Sequence, residues 1–278
     1  MHHRYNPLAL LLIGILSVFV GRAALAGLIW MPRTFETFDT LTVAGSLILV
    51  AQDPSRLRRG DWLVALALGV VVAGGMSAAS LFTPYPYLGL LDGHGAQAVL
   101  RGIFTAIALL GGLAVQRRLG PVRLVSADRD CRAVGRALGM GLLVGLPLAV
   151  VNVIALGFTQ GRAIAWQSPV AALLDALQPA IVEEAVYRFA LWGLLWLGLT
   201  RSLPNTAIAW AGGLATAIHA FAHVDDLLRQ APLIALGLGT ALAVVWGTLP
   251  AWLARRWGLE SAIAFHWIQD AARFLAGY

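Results

Sequence analysis

The sequence contains no lysine, only one cysteine and few charged residues of any kind. Charged side chains make up 12% of the 278 residues, which is roughly half the share found in soluble domains. So few charges cannot cover a water-exposed surface, which excludes a soluble enzyme and a disordered chain. Cys131 has no partner for a disulfide or a CxxC site, which excludes a disulfide scaffold and makes thiol redox chemistry untenable.

All 20 basic residues are arginine, and the formal net charge is +6. A basic balance raises the question of nucleic-acid binding, but these arginines are scattered over short segments between apolar runs and do not cluster on one face. We therefore expect no nucleic-acid partner. Arginine in such segments is typical of the cytoplasmic loops of a membrane protein.

Apolar runs long enough to cross a lipid bilayer recur along the whole chain. A membrane helix needs about 20 apolar residues at about 1.5 Å per residue. The candidate runs, of which the second is the shortest, are Pro7–Trp30, Phe38–Gln52, Trp62–Phe82, Ala98–Val115, Ala137–Phe158, Val170–Leu199, Asn205–Val224, Pro232–Ala254 and Leu259–Gly277. The sequence therefore predicts an all-α fold, a polytopic membrane helix bundle of about eight or nine transmembrane helices.

The arginine-rich segments set the expected orientation of these runs. The first run could imitate a signal peptide, but apolar sequence continues past Arg22 to Trp30, so we interpret it as a membrane anchor. Segments 53–59 and 117–136 are rich in arginine, as are the later turns between runs. Placing them in the cytoplasm gives nine alternating spans, with the amino terminus inside and the carboxyl terminus outside. We expect a multi-pass protein of the cell (inner) membrane.

Ionisable residues inside the apolar runs are concentrated in the last 100 residues of the chain. Such residues are costly in lipid, so they face the interior of a bundle and mark functional sites. The residues concerned are Glu183, Glu184 and Arg188 in the sixth run, His219 and His223 in the seventh, and His266 and Asp270 in the ninth.

Their spacing predicts which of them meet, because residues four apart share one face of a helix. Glu184 can pair with Arg188 in this way. Glu183 is rotated by about 100° from Glu184 and lacks that partner, which suits a general base. Pro179 lies four residues before Glu183 and either kinks the helix or starts its second half, as happens where a membrane helix lines a protected cavity.

These motifs resemble those of the CPBP intramembrane proteases, which include the CAAX prenyl endopeptidases and bacterial abortive-infection-type proteins. The family pattern is EExxxR, FxxxH and HxxxN on successive helices. Here the corresponding residues are Glu183, Glu184 and Arg188, then His223, then His266 and Asp270. The match covers about residues 170–278, and the first half of the chain offers only apolar runs.

The resemblance implies a role for each of these residues. Glu183 would activate a water together with His223, Glu184 and Arg188 would brace the helix pair, and His266 would lie at the oxyanion side. Two positions, His219 and Asp270, depart from the family pattern. His219 stands where the family has phenylalanine, and we interpret it as an interhelical hydrogen-bonding residue.

Asp270 stands in the place of the usual asparagine. An ionised aspartate repels an oxyanion, so we expect Asp270 to orient His266 and keep it cationic. Residues 1–169 are then N-terminal membrane helices without an assigned role, and residues 170–278 are the catalytic helices of one integral membrane domain.

The predicted function is an intramembrane endopeptidase, a glutamic-type hydrolase without a metal or other cofactor, acting on a membrane-anchored peptide or protein tail. The alternative within the enzyme class is a zinc protease with His219, His223, His266 and a carboxylate as ligands, although the seventh run lacks HExxH. Two further alternatives are a proton-coupled transporter and a non-catalytic immunity protein. The sequence selects neither a substrate nor an oligomeric state.

Overall fold

A computed structural model describes residues 7–28, 34–82, 87, 90–128 and 130–278. Within these ranges the regular structure is helical, and the only β-type pairing is an isolated bridge between Tyr87 and Leu91. The all-α prediction is therefore confirmed. The end of the first predicted run, residues 29–30, lies outside the described residues.

Five helices make up the first part of the chain: α1 Pro7–Leu28, α2 Thr34–Gln52, α3 Arg59–Ser77, α4 His94–Gln116 and α5 Cys131–Gln160. The second part is more interrupted. It contains α6 Pro169–Asp175, α7 Leu177–Glu183, a π-helical segment Glu184–Leu191, α8 Trp192–Leu199, α9 Ala207–Ala222, α10 Asp225–Gln230, α11 Pro232–Leu242, a second π-helical segment Ala243–Gly247, α12 Thr248–Trp257 and α13 Leu259–Leu275.

Among the described residues, four helical stretches are long and apolar enough to cross a membrane: Arg59–Ser77, His94–Gln116, Cys131–Gln160 and Pro232–Trp257. The predicted number of eight or nine spans is thus not confirmed by this criterion. The reason lies in length and interruption, since α9 has 16 residues, α13 has 17, and the sixth predicted run is divided among three α-helices and a π-helical segment.

The outer surfaces of these helices are apolar. Leu63, Val70, Leu143, Phe158 and Leu233 each expose between 63% and 85% of their surface. Isolated exposed apolar side chains are common in soluble proteins, but these recur along successive helices whose mean composition is apolar. A surface of this kind is suited to contact with lipid.

Ion pairs join the loops at one end of the bundle. Nε of Arg117 donates to Oδ2 of Asp61 at 3.1 Å, and Nη1 of Arg117 lies 3.2 Å from Oδ1 of Asp128. Partial burial acts to raise the pKa of Asp128, but hydrogen bonds from Arg123 and Arg117 outweigh it and hold that pKa below its ordinary value.

Further contacts bring the other arginine-bearing turns to the same end. Arg118 lies 3.6 Å from Asp53 of the α2–α3 loop. The buried Glu260 carboxylate, at the start of α13, accepts from the backbone N–H groups of Val125 at 3.1 Å and Ser126 at 2.7 Å. We call this end the arginine face; it comprises residues 53–59, 117–136 (without the undescribed residue 129), 200–206 and 255–258.

The opposite end is also held by hydrogen bonds between loops. Oδ2 of Asp175 accepts from all three backbone N–H groups of residues 80–82, at 2.9 and 3.0 Å for the first and last of them. The backbone N–H of Ala165 donates to the carbonyl of Ala276 at 3.0 Å. We call this end the distal face; it comprises residues 78–82, 90–93, 161–168, 223–231 and 276–278.

Two glycines allow α5 and α13 to pack backbone against backbone. A Cβ added at Gly141 would lie 2.1 Å from the carbonyl oxygen of Ser261, and one added at Gly145 would lie 2.6 Å from a methyl group of Ile268. Small residues spaced four apart permit this close approach between membrane helices. The contact fixes the position of α13, which carries two of the predicted site residues.

Replacement of Gly141 by alanine should therefore separate α5 from α13. Gly141→Ala is expected to lower the thermal unfolding midpoint of the detergent-solubilised protein by several degrees, because backbone atoms of Ser261 cannot move aside as a flexible side chain could.

Gly139→Ala is the matched control, since a Cβ at Gly139 meets nothing within 4 Å and lies on the same helix. Its unfolding midpoint should stay unchanged. Equal midpoints for both variants would contradict the close packing of α5 on α13.

Candidate active site

A broken helix places two adjacent carboxylates in the middle of the bundle. The predicted sixth run is interrupted at Ala176, and α7 begins at Leu177 with Pro179 in its first turn. Proline is tolerated there because the first N–H groups of a helix have no internal partner. Glu183 is the last residue of α7, and Glu184 begins the π-helical segment. Of the two predictions for Pro179, the start of a second half is the one observed.

Glu184 is enclosed on both sides by basic groups. Its side chain has no solvent exposure, and Oε1 lies 3.0 Å from Nη1 of Arg188 and 3.0 Å from Nδ1 of His266. The predicted contact between Glu184 and Arg188 is therefore present. The Glu184 carboxylate therefore links the broken helix to α13. The sequence predicted that Glu184 braces a pair of helices but did not identify His266 as its partner.

Glu183 contacts a different histidine from the one that the sequence suggests. Its Oε2 lies 2.7 Å from Nε2 of His219, whereas the resemblance pairs Glu183 with His223. The arginine of its own helix, Arg188, contacts Glu184, and the partner of Glu183 comes from α9. His219 thus lies in the centre of the site.

Arg188 determines which nitrogen of His219 carries the proton. Its Nη1 lies 2.8 Å from Nδ1 of His219. A guanidinium only donates hydrogen bonds, so Nδ1 must accept and the ring proton of a neutral His219 lies on Nε2. Nε2 then donates to Glu183. The hydrogen bonds run from Arg188 through His219 to the carboxylate.

His266 faces three carboxylates. Its Nδ1 contacts Glu184, and its Nε2 lies 3.4 Å from Oδ2 of Asp270 and 3.7 Å from Oε2 of Glu183. The two distances from Nε2 exceed those of ordinary hydrogen bonds, so this donor is only loosely engaged. Both ring nitrogens face anions, an arrangement that suits an imidazolium.

Asp270 lies between His266 and a further arginine. Its Oδ1 accepts from Nε of Arg273 at 3.1 Å and lies 3.1 Å from Nη2 of the same side chain. The contact with Arg273 favours an ionised Asp270. An ionised Asp270 can orient His266, as expected from the sequence, but cannot donate a hydrogen bond to an oxyanion.

His223 lies at the rim of the site. It follows the last residue of α9, is exposed, and packs edge-on against Phe35 and His219 at 6.2 and 5.1 Å between ring centroids. One ligand-type atom from each of Glu183, His219 and His223 lies within 4.8 Å of the others. Among the described residues, these three form a group whose spacing could hold a metal ion.

These side chains surround a common cavity of about 720 Å³. Its lining includes Glu183, His219, His223, His266, Asp270 and Arg273. Polar groups converging in a cavity of this size are typical of ligand and active sites. The cavity brings together residues from the broken helix, α9 and α13.

Sequence reasoning missed two side chains of the site. Tyr187 stacks on His219, with ring centroids 4.6 Å apart and an interplanar angle of 23°. Arg273 contacts Asp270 and lines the cavity. Arg273 lies three residues after Asp270, a spacing that would have indicated the pair, whereas the sequence gives no signal for the stacking of Tyr187.

Sequence reasoning also missed a second buried polar cluster, which lies beside the cluster around Glu183 and Glu184. Nη1 of Arg101 in α4 lies 2.8 Å from Oδ2 of Asp39 in α2, and both side chains are buried. Nη2 of Arg22 in α1 donates to the carbonyl of Ile218 at 2.6 Å. The N-terminal helices therefore contribute buried charge next to the cavity as well as apolar surface.

Residues 165–272 match the family model described as Type II CAAX prenyl endopeptidase Rce1-like. The matched segment contains every site residue that the sequence predicts, from Glu183 to Asp270. No curated protein and no solved structure matches the chain significantly. The match over this segment supports the resemblance to the CPBP and CAAX protease family that the motifs indicate.

Proposed function

We propose that the protein is a glutamic-type intramembrane endopeptidase whose general base is Glu183. The observation that carries this proposal is the position of Glu183 in the cavity, with His219 in contact and His223 and His266 alongside. A carboxylate inside a bundle, next to imidazoles and a space for water and substrate, is a suitable arrangement for activating a water.

The proposed reaction uses only groups of this chain. Glu183 removes a proton from a water in the cavity, and the hydroxide attacks the carbonyl carbon of the scissile peptide bond. The resulting oxyanion is stabilised by His266, as an imidazolium, and by His223. Glu183 then delivers its proton to the departing amine, so the peptide bond breaks and the base is regenerated.

His219 and Asp270 have positioning roles in this proposal. His219 holds the carboxylate of Glu183 through Nε2, and Arg188 keeps the imidazole in the required tautomer. Asp270 orients His266 and favours its charged form, while Arg273 anchors Asp270. These contacts restrict the two reacting groups to one geometry, which lowers the entropic cost of the transition state.

The proposed substrate is a membrane-tethered peptide or protein tail. The similarity of residues 165–272 to CAAX prenyl endopeptidases supports a membrane-anchored protein substrate, and the cavity of about 720 Å³ has room for a short peptide segment. We further propose that the protein is a multi-pass protein of the cell (inner) membrane, because the helices that fall below the span criterion pack into the same bundle as the four that meet it.

A zinc-dependent protease is the second candidate, since Glu183, His219 and His223 bring three ligand-type atoms together. The hydrogen bond from Arg188 argues against it. A zinc ligand must offer a lone pair, yet Arg188 occupies Nδ1 of His219 and leaves the proton on Nε2, the nitrogen that faces Glu183. The residues therefore do not fit a zinc ion in this arrangement.

Glu183→Gln should abolish turnover while leaving insertion and folding intact. We expect a rate lower by about 10²–10⁴-fold, because glutamine cannot take a proton from water. The measurement is cleavage, in proteoliposomes, of a library of quenched-fluorescence peptides carrying an amino-terminal palmitoyl chain. Comparison of membrane proteomes with and without the variant would identify accumulating precursors.

Asp92→Asn is the matched control, because Asp92 is an exposed carboxylate away from the cavity. It should cleave like the original protein. Full cleavage by the Glu183→Gln protein would show that Glu183 is not the general base. Absence of cleavage by the original protein would favour a non-catalytic binding protein, or a transporter if a proton flux depends on Glu183.

Asp270→Asn should reduce kcat by about tenfold, which corresponds to about 1.4 kcal/mol of lost transition-state stabilisation. Asparagine retains the size of the side chain but removes the charge that favours the cationic form of His266. The diagnostic readout is the pH dependence of kcat. As the pH is raised, the variant should lose activity at a lower pH than the original protein does. Undiminished activity would show that Asp270 does not act through its charge.

Chelation should leave the activity unchanged. Treatment of the purified protein with 1,10-phenanthroline and EDTA, together with elemental analysis, is expected to give full turnover and substoichiometric zinc. Loss of turnover that added zinc restores, together with one zinc per chain that disappears in His223→Ala, would overturn the metal-free proposal.

A further inference from the structure

The two ends of the bundle differ strongly in arginine content. Among the described residues, the arginine face carries Arg56, Arg58, Arg59, Arg117, Arg118, Arg123, Arg132, Arg136, Arg201, Arg255 and Arg256. In the part of the chain that the structure describes, the distal end carries Arg162 and Arg229 in its loops and Arg273 in the last turn of α13. Basic residues in short loops mark the cytoplasmic side, and neighbouring acidic residues contribute little to this bias. The arginine face is therefore the cytoplasmic one.

The cavity lies towards the distal face. In α13, Asp270 is about 16 Å and Arg273 about 21 Å along the helix axis from Leu259 at the arginine face, whereas His266, at about 10 Å, lies near the middle of the helix. In the same sense, His223 follows the end of α9, about 24 Å from Ala207. No residue of the arginine face, among those that the structure describes, lines the cavity.

The walls of the cavity indicate where it opens. Towards the arginine face the lining residues are buried, with Phe265 at 2% and Arg188 at 3% exposure. Towards the distal face they are accessible: His223 and Asp226 are exposed, and 34% of the Arg273 side chain is exposed. The cavity is thus closed towards the arginine face and open towards the distal face.

We infer that the cavity opens to the non-cytoplasmic side of the membrane, so that the substrate is an anchored polypeptide presenting its scissile bond at that surface. The inference rests on the proposed function for the identity of the cavity. It follows that a lipid-modified tail on the cytoplasmic surface cannot reach Glu183, whereas a tail exported through the membrane can.

Cysteine accessibility tests the orientation without requiring activity. Cys131 is exposed, begins α5 on the arginine face, and is the only cysteine of the full chain. A second protein carries Cys131→Ser with Asp226→Cys at the mouth of the cavity. Both are treated with a membrane-impermeant maleimide in sealed right-side-out and inverted membrane vesicles.

We expect Asp226→Cys to react at least tenfold faster in right-side-out vesicles, and Cys131 to react at least tenfold faster in inverted ones. Two further positions in the Cys131→Ser background guard against a misfolded variant: Thr159→Cys near the distal face should follow Asp226→Cys, and Ser202→Cys on the arginine face should follow Cys131. Both positions are exposed. The reverse pattern, or labelling of both ends from one side, would overturn the inference.

A second arm links the orientation to the reaction. The palmitoylated quenched peptide that the proteoliposome assay identifies is added to each vesicle type, and cleavage is expected only in right-side-out vesicles. Cleavage confined to inverted vesicles would overturn the inference and leave the protease proposal intact. If the proteoliposome assay identifies no cleaved peptide while the maleimide pattern is as expected, the protease proposal fails and the orientation stands.

Discussion

Two adjacent carboxylates in an apolar bundle are the constraint on which the rest of the site depends. An ionised carboxylate without partners is too costly to keep in such surroundings, so each must be met by basic groups from other turns or helices. Glu184 is met by Arg188 and His266, and Glu183 by His219. The contacts of these partners with one another draw the broken helix, α9 and α13 around one cavity.

This arrangement is locally balanced in charge. Three carboxylates, Glu183, Glu184 and Asp270, face two arginines and three imidazoles. One protonated imidazole makes the cluster neutral, and His266 is the one whose two nitrogens both face anions. Neutrality matters in a bundle because an uncompensated charge there is opposed by the full cost of desolvation.

Helical geometry alone made part of the site predictable. The contacts of Glu184 with Arg188 and of His266 with Asp270 each join residues four apart, so they follow from the sequence once a helix is assumed. The apolar runs likewise predicted the helices of the described chain. The family match over residues 165–272 agrees with the motifs from which the resemblance was drawn.

The partner of Glu183 could not be predicted in the same way. His219 lies in the last turn of α9, and His223 follows the helix about 6 Å farther along its axis. Which of the two reaches Glu183 depends on how far α9 is shifted along α7. That shift arises from tertiary packing, which a single helix does not encode. The pair of Asp39 and Arg101 was unpredictable for the same reason, since it joins α2 to α4 across 62 positions.

The contacts of Arg188 show why a lysine would be a poor replacement at this position. Nη1 contacts both a carboxylate of its own helix and a ring nitrogen of a neighbouring one. A planar guanidinium offers several donors in fixed directions, whereas an ammonium on a flexible stem is a compact point charge. A lysine would preserve the net charge of the cluster yet release His219 to rotate or exchange tautomers, so the site would lose its orientation before it lost its electrostatic balance.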